Sequence, residues 1–128
     1  MDEGKLKIIL AEDDEFTNEF LCELLEARGD ISFKSFENGR DLLEEFKKNA
    51  AYDLVLLDIQ MPFMSGIECL PKIKEIDKDI PVVALTAYAL KGDKEEYLNA
   101  GFDNYMSKPL DIEKFYKMIY SYLKADKS

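Results

Sequence analysis

Asp53 to Asp58 reads DLVLLD. Its apolar run is too short for a helix and does not alternate with polar residues, so it is expected to be a β-strand covered on both faces. Lys7 to Ala11 (KIILA) and Pro81 to Thr86 (PVVALT) repeat the signature. Ile31 to Phe36 is a weaker fourth strand, and Phe102 to Ser107 (FDNYMS) a weak fifth that takes its assignment from its neighbours.

Helical patterns fill the gaps. Phe16, Phe20, Leu21, Leu24 and Leu25 share one helical stripe, and Gly29 stops that helix. Leu42, Leu43 and Phe46 mark a second helix. Ser65 to Glu68 fits a capping box, with Ile67, Leu70 and Ile73 behind it as core positions. Pro71 then implies an early-turn position or a kink. Leu90 to Asn99 is a mostly polar fourth helix that can bury Leu90, Tyr97 and Leu98. Ile112, Phe115, Tyr116, Ile119 and Leu123 form the stripe of the last helix, capped by Asp111. Strand and helix alternate five times, which implies an α/β fold with a parallel sheet and helices on both sides. Right-handed crossovers make it a doubly wound sandwich.

The chain has 128 residues, which suits a single domain, 1–128 with its core at about 5–124, with no linker or repeat and only the first few residues and the tail after Leu123 loose. Such a domain buries about two thirds of its unfolded surface and needs neither metal nor disulfide to fold. Seventeen basic and 27 acidic residues give a net charge of −10, which disfavours direct binding to nucleic acid or anionic membrane. No apolar run approaches a membrane span, and MDEGKLK lacks the apolar core of a signal peptide, so a cytoplasmic location without membrane insertion is expected. Two cysteines, Cys22 and Cys69, make no disulfide framework, and the absence of histidine excludes Cys/His zinc sites and Ser-His-Asp catalysis.

Open parallel sheets bind ligands beyond the carboxyl ends of their strands. Glu12, Asp13 and Asp14 follow the first strand, Asp58 ends the third, Thr86 ends the fourth, and Ser107, Lys108 and Pro109 follow the fifth. These groups are expected to converge on one rim. Clustered carboxylates repel, and a hard divalent cation relieves the repulsion. Oxygen donors select Mg²⁺ or Ca²⁺ over zinc, and few protein oxygens leave waters on the ion, which suits Mg²⁺. Lys108 adds a mobile point charge for a phosphoryl oxygen. An aspartate beside Mg²⁺, a lysine and a hydroxyl can take a phosphoryl group onto its carboxylate. Taken singly, each residue has a plainer explanation. The acids Glu12 to Glu15 suit any helix start, Thr86 any strand, Lys108 any surface, and Asp93, Glu95 and Glu96 any solvated helix face. The chemical reading rests on their co-location.

These residues resemble those of a known family, the response-regulator receiver domains of two-component signalling. The likeness spans roughly Lys5 to Lys124 and rests on IILAEDDEFTN, LVLLDIQMPFMSGIE, VVALTAYALKGD and AGFDNYMSKPLD, in the family's order. The DIQMP and ALTAYALKGD segments are most similar to receivers of hybrid sensor kinases, and single-domain receivers carry them too. The resemblance implies a flavodoxin-like (βα)5 sandwich with strand order 2-1-3-4-5. It implies Asp58 as phosphoacceptor, with Asp13, Asp58 and the Gln60 backbone carbonyl as Mg²⁺ ligands and Glu12 acting through water. Thr86 and Lys108 would hold phosphoryl oxygens, Tyr105 would be the switch aromatic, and the Lys108–Pro109 bond would be cis. The family's readout surface is the fourth helix, fifth strand and fifth helix. A histidine kinase or histidine phosphotransfer protein would be the donor, and a downstream protein the target. Glu12 stands where many relatives have Asp, Ser65 where Asp often precedes the loop glycine, and Gln60 and Tyr88 where the family tunes acyl-phosphate lifetime.

Three alternatives are weighed against this reading. An aspartyl phosphohydrolase usually carries a second acid two residues after its nucleophile, where this chain has Gln60. A degenerate receiver, acting as a phosphorylation-independent interaction module, would not need the set Asp13, Asp58, Thr86 and Lys108. A flavodoxin-like cofactor binder would need a phosphate loop after the first strand, and none is present.

Overall fold

The computed structural model describes residues 6–87 and 93–122. Strand and helix alternate as expected: β1 Leu6–Ala11, α1 Glu15–Glu26, β2 Ile31–Phe36, α2 Gly39–Lys48, β3 Leu54–Asp58, α3 Gly66–Ile76, β4 Val82–Thr86, α4 Asp93–Ala100, β5 Asn104–Ser107 and α5 Ile112–Tyr120. The five strands form one sheet in the order β2-β1-β3-β4-β5, and every neighbouring pair is parallel. This is the doubly wound sandwich the periodicity implied and the strand order the resemblance implied. The positions expected for Leu90, Tyr88 and Leu123 lie outside the described residues.

Alternation along each strand sorts side chains into two cores. Ile9, Val55, Leu57, Val82 and Ala84 pack with Leu42, Phe46, Leu70, Ile73 and Tyr97, from α2, α3 and α4. Leu6, Ile8, Leu10, Leu54, Leu56, Val83 and Leu85 pack with Leu21, Leu25, Phe115 and Ile119, from α1 and α5. β3 and β4 are buried along their whole length, which explains why their sequences show no polar alternation.

Helix starts follow local chemistry. The Asp14 side chain caps α1 by accepting from the Thr17 amide at 2.9 Å. Asn38 caps α2, Asp111 caps α5, and Ser65 with Glu68 forms the expected reciprocal box on α3. Gly29, at φ 75°, takes the left-handed turn that follows α1.

Several expected core positions are exposed instead. Phe16 is 81% exposed, and Ile67 and Ile112 are also exposed. All three lie in the first turn of their helices, beside the carboxyl edge of the sheet where no strand continues beneath them. Leu98 is exposed as well, so Tyr97 anchors α4. Pro71 occupies the second turn of α3 rather than an early turn. It leaves the Ile67 carbonyl without its helical donor, on a face open to water.

Candidate functional site

The carboxyl ends of β1, β3 and β5 meet at one cavity of about 190 Å³. Glu12, Asp13, Asp14, Asp58, Gln60, Ala87 and Lys108 line it. β1 delivers Glu12 and Asp13 just past Ala11, and the Glu12 amide is fixed by the Phe36 carbonyl at 2.9 Å. Asn18 of α1 ties the same corner, donating to the carbonyls of Glu12 and Phe36 at 2.9 and 3.1 Å. β3 ends on Asp58, paired in register with Leu85 of β4.

Carboxylate oxygens of Glu12, Asp13 and Asp58 lie within 4.8 Å of one another. Glu12 is fully buried and Asp58 is 4% exposed, while Asp13 faces solvent. Lys108 Nζ sits 2.8 Å from Glu12 Oε1 and 3.3 Å from Asp58 Oδ1. Glu12 Oε2 accepts from the Asp14 amide, and Asp58 Oδ1 from the Gln60 amide. Burial first, and then the hydrogen bond and negative charge of Glu12, push the Asp58 carboxyl up to about 6. Asp13 is also raised, by burial and by Asp58. For Lys108, burial acts to lower the pKa, but contacts with Glu12 and Asp58 outweigh it and raise it, so the ammonium stays charged.

The loop after β3 is tightly constrained. The Gly66 amide donates to the Ile59 carbonyl at 2.9 Å, and a Cβ on Gly66 would collide with the Asp58 carbonyl oxygen. Only glycine permits that approach. Phe63 adopts a left-handed φ of 69°, unusual for a bulky residue, and the Arg40 guanidinium stacks on its ring at 4.5 Å. The Lys108–Pro109 peptide is cis, as the resemblance implied.

The structure brings together Glu12, Asp13, Asp58, Gln60 and Lys108. It does not bring the Thr86 hydroxyl to the cavity, contrary to the expected convergence. Thr86 is buried, and its Oγ1 lies 3.2 Å from the Tyr97 hydroxyl of α4. The physical reason is strand alternation, which sends Thr86 to the face that β4 shares with α4. Tyr105 is half-buried on that same face, its ring 6.4 Å from that of Tyr97. Two residues escaped the sequence reading. Asn18 carries no motif signal of its own, although it falls one turn after the Asp14 cap. Tyr97 reads as a core anchor until its hydroxyl partner is known.

A cluster of two buried acids and one exposed acid, with an ammonium against it, has the donor set for a hard divalent cation beside an aspartate that can take a phosphoryl group. This donor set supports Mg²⁺ as the cofactor.

Comparison with known proteins agrees with that chemistry. Residues 8–120 match the model of the response regulator receiver domain. The chain is 40% identical over 120 residues to hybrid signal transduction histidine kinase I of Dictyostelium discoideum, with 88% of this chain aligned and 7% of the kinase. It is 36% identical over 118 residues to the polar-differentiation response regulator DivK of Brucella anthropi, with 91% of this chain and 94% of DivK aligned. Among solved structures, a chain of the CheX–CheY–BeF3–Mg²⁺ complex from Borrelia burgdorferi superposes with a TM-score of 0.83 at 26% identity, covering 94% of this chain and 96% of that one. With the sheet order, the acidic cluster and the matched span in agreement, the chain belongs to the family of response-regulator receiver domains.

Proposed function

We propose that this chain is a single receiver domain, 1–128 with its core at about 5–124, that takes a phosphoryl group from a partner phosphohistidine onto Asp58. One observation carries the reading. Asp58 is nearly buried at the end of β3, with the carboxylates of Glu12 and Asp13 beside it and Lys108 Nζ 3.3 Å from its oxygen. An Asp58 oxygen attacks phosphorus, the P–N bond of the donor breaks, and its electron pair stays on the donor imidazole. Lys108 neutralises charge on the transferring oxygens, and positioning by the rigid strand ends supplies much of the acceleration. Asp13, Asp58 and the Gln60 backbone carbonyl would hold Mg²⁺, and Glu12 would act in the same pocket through water. Held there, Mg²⁺ would supply positive charge toward the phosphoryl oxygens. The chain promotes only its own phosphoryl transfer and dephosphorylation and turns over no separate substrate.

The acyl phosphate then shifts a two-state equilibrium in which Thr86 and Tyr105 move together, and the α4-β5-α5 surface presents itself to a downstream protein. The donor is a histidine kinase or histidine phosphotransfer protein. No helix among the described residues is long and apolar enough to cross a membrane. This fits a cytoplasmic place in the relay, and the acidic net charge of −10 fits the lack of direct nucleic-acid binding.

Transfer from a phosphorylated histidine phosphotransfer protein tests the assignment. The wild-type chain is expected to acquire an acyl phosphate, and Asp58→Asn none. Transfer to Asp58→Asn at the wild-type rate contradicts the assignment, and no transfer to the wild type leaves a phosphorylation-independent interaction module as the better reading.

A further inference from the structure

Thr86 Oγ1 and Tyr97 Oη, 3.2 Å apart, form a buried contact between the end of β4 and α4. The two residues are 2% and 6% exposed. Packing holds the Tyr97 ring in place. It meets Phe102 edge-on, at 6.3 Å and 87°, and leans on Tyr105 at 6.4 Å and 40°. Its hydroxyl therefore has a position set by the core and not by the hydrogen bond alone. Thr86 shares a sheet face with Ala84, whereas Asp58 follows Leu56 on the other face. To engage a phosphoryl group on Asp58, the Thr86 hydroxyl would have to turn from the α4 face toward the face that carries Asp58.

We propose that Tyr97 is a latch that holds the Thr86 hydroxyl on the α4 side, so that a phosphoryl group on Asp58 must compete with the phenol for it. The proposal rests on the phosphoacceptor reading of Asp58. Tyr97 is a positioning residue, acting on the site only through Thr86. The latch biases the chain toward its unphosphorylated arrangement by about fivefold, the net effect of one neutral hydrogen bond. It also gives the switch a path to α4. When Thr86 departs, the buried anchor of that helix loses a hydroxyl partner, and α4 can repack against β5.

Beryllofluoride, a stable phosphoryl mimic, reads this directly when titrated with Mg²⁺ into the wild type, Tyr97→Phe, Thr86→Val and the double variant. Tyr97→Phe is expected to bind about fivefold more tightly than the wild type, and the same change in the Thr86→Val background is expected to have no effect. In the unmodified chain, the Tyr97 ring resonances are expected to shift on beryllofluoride binding, while those of Tyr52 stay in place. A merely structural Tyr97 would lower the melting temperature and leave the affinity unchanged, and that result overturns the latch. A gain that persists with Thr86→Val, or unmoved Tyr97 resonances at saturation, overturns it too. If the wild type binds no beryllofluoride, the phosphoacceptor reading itself fails, and the latch with it.

Discussion

At Asp58, burial and the Glu12 carboxylate act in the same direction, and together they raise its pKa from 3.8 to about 6 against the opposing pull of Asp13 and Lys108. The sign has a consequence for the metal-free chain. Between pH 3.8 and about 6 the folded state holds more protons on Asp58 than the unfolded state does, so stability falls as pH rises through that window. Above it the charged carboxylate costs about 1–3 kcal/mol. Asp58→Asn is therefore expected to unfold at higher denaturant than the wild type at pH 7 without Mg²⁺, and at nearly the same concentration at pH 4. Mg²⁺ is expected to stabilise the wild type by mass action and to have little effect on Asp58→Asn. Equal midpoints at pH 7 would show that the carboxylate is not strained. The two thiols differ in the same physical sense. Cys69 is fully buried and burial pushes its pKa up to about 11, whereas Cys22 is only half-buried. A thiol reagent at pH 8 is expected to label Cys22 in the native chain and Cys69 only after unfolding, as peptide mass mapping would show.

The elements show what can be read in advance and what cannot. β1, β3 and β4 announce themselves because a strand buried on both faces needs apolar residues throughout, and helix caps are visible because Ser65, Asp111 and Gly29 each act on neighbours a few residues away. The same local rules fail for Phe16, Ile67 and Ile112. Helical spacing puts them on the core stripe, but whether anything lies beneath a first turn depends on where the sheet ends, a tertiary fact. Site legibility divides the same way. Glu12, Asp13, Asp58 and Lys108 sit at strand ends, so topology gathers them. The direction of Thr86 and the hydroxyl partner of Tyr97 depend on α4, which carries too few apolar residues to fix its own placement. The loop between β3 and α3 carries its own prediction. Gly66→Ala, by forcing its Cβ against the Asp58 carbonyl, is expected to lower stability by about 1–3 kcal/mol and to weaken Mg²⁺ binding. Asn38→Ala removes the α2 cap and is expected to cost about 1 kcal/mol while leaving Mg²⁺ affinity within twofold. Calorimetric Mg²⁺ titration separates them, and equal affinities in both variants would show that the loop does not position Asp58.

Across the whole molecule, the division of labour follows the sheet. Its two faces carry separate cores, one built on α1 and α5 and the other on α2, α3 and α4. The acidic cluster and Lys108 stand at the rim where those cores meet, and Thr86 belongs to the second. A charge change at Asp58 is thus placed to act on the α4 side through Thr86, Tyr97 and Tyr105 without disturbing the rigid centre of the sheet. That arrangement has a function only if Asp58 accepts a phosphoryl group. Intact mass after exposure to acetyl phosphate, with Mg²⁺ and then with a chelator, tests this most directly. A single phosphoryl adduct that requires Mg²⁺ and is missing from Asp58→Asn is the predicted result. An adduct of equal yield in Asp58→Asn, or one indifferent to Mg²⁺, would contradict it.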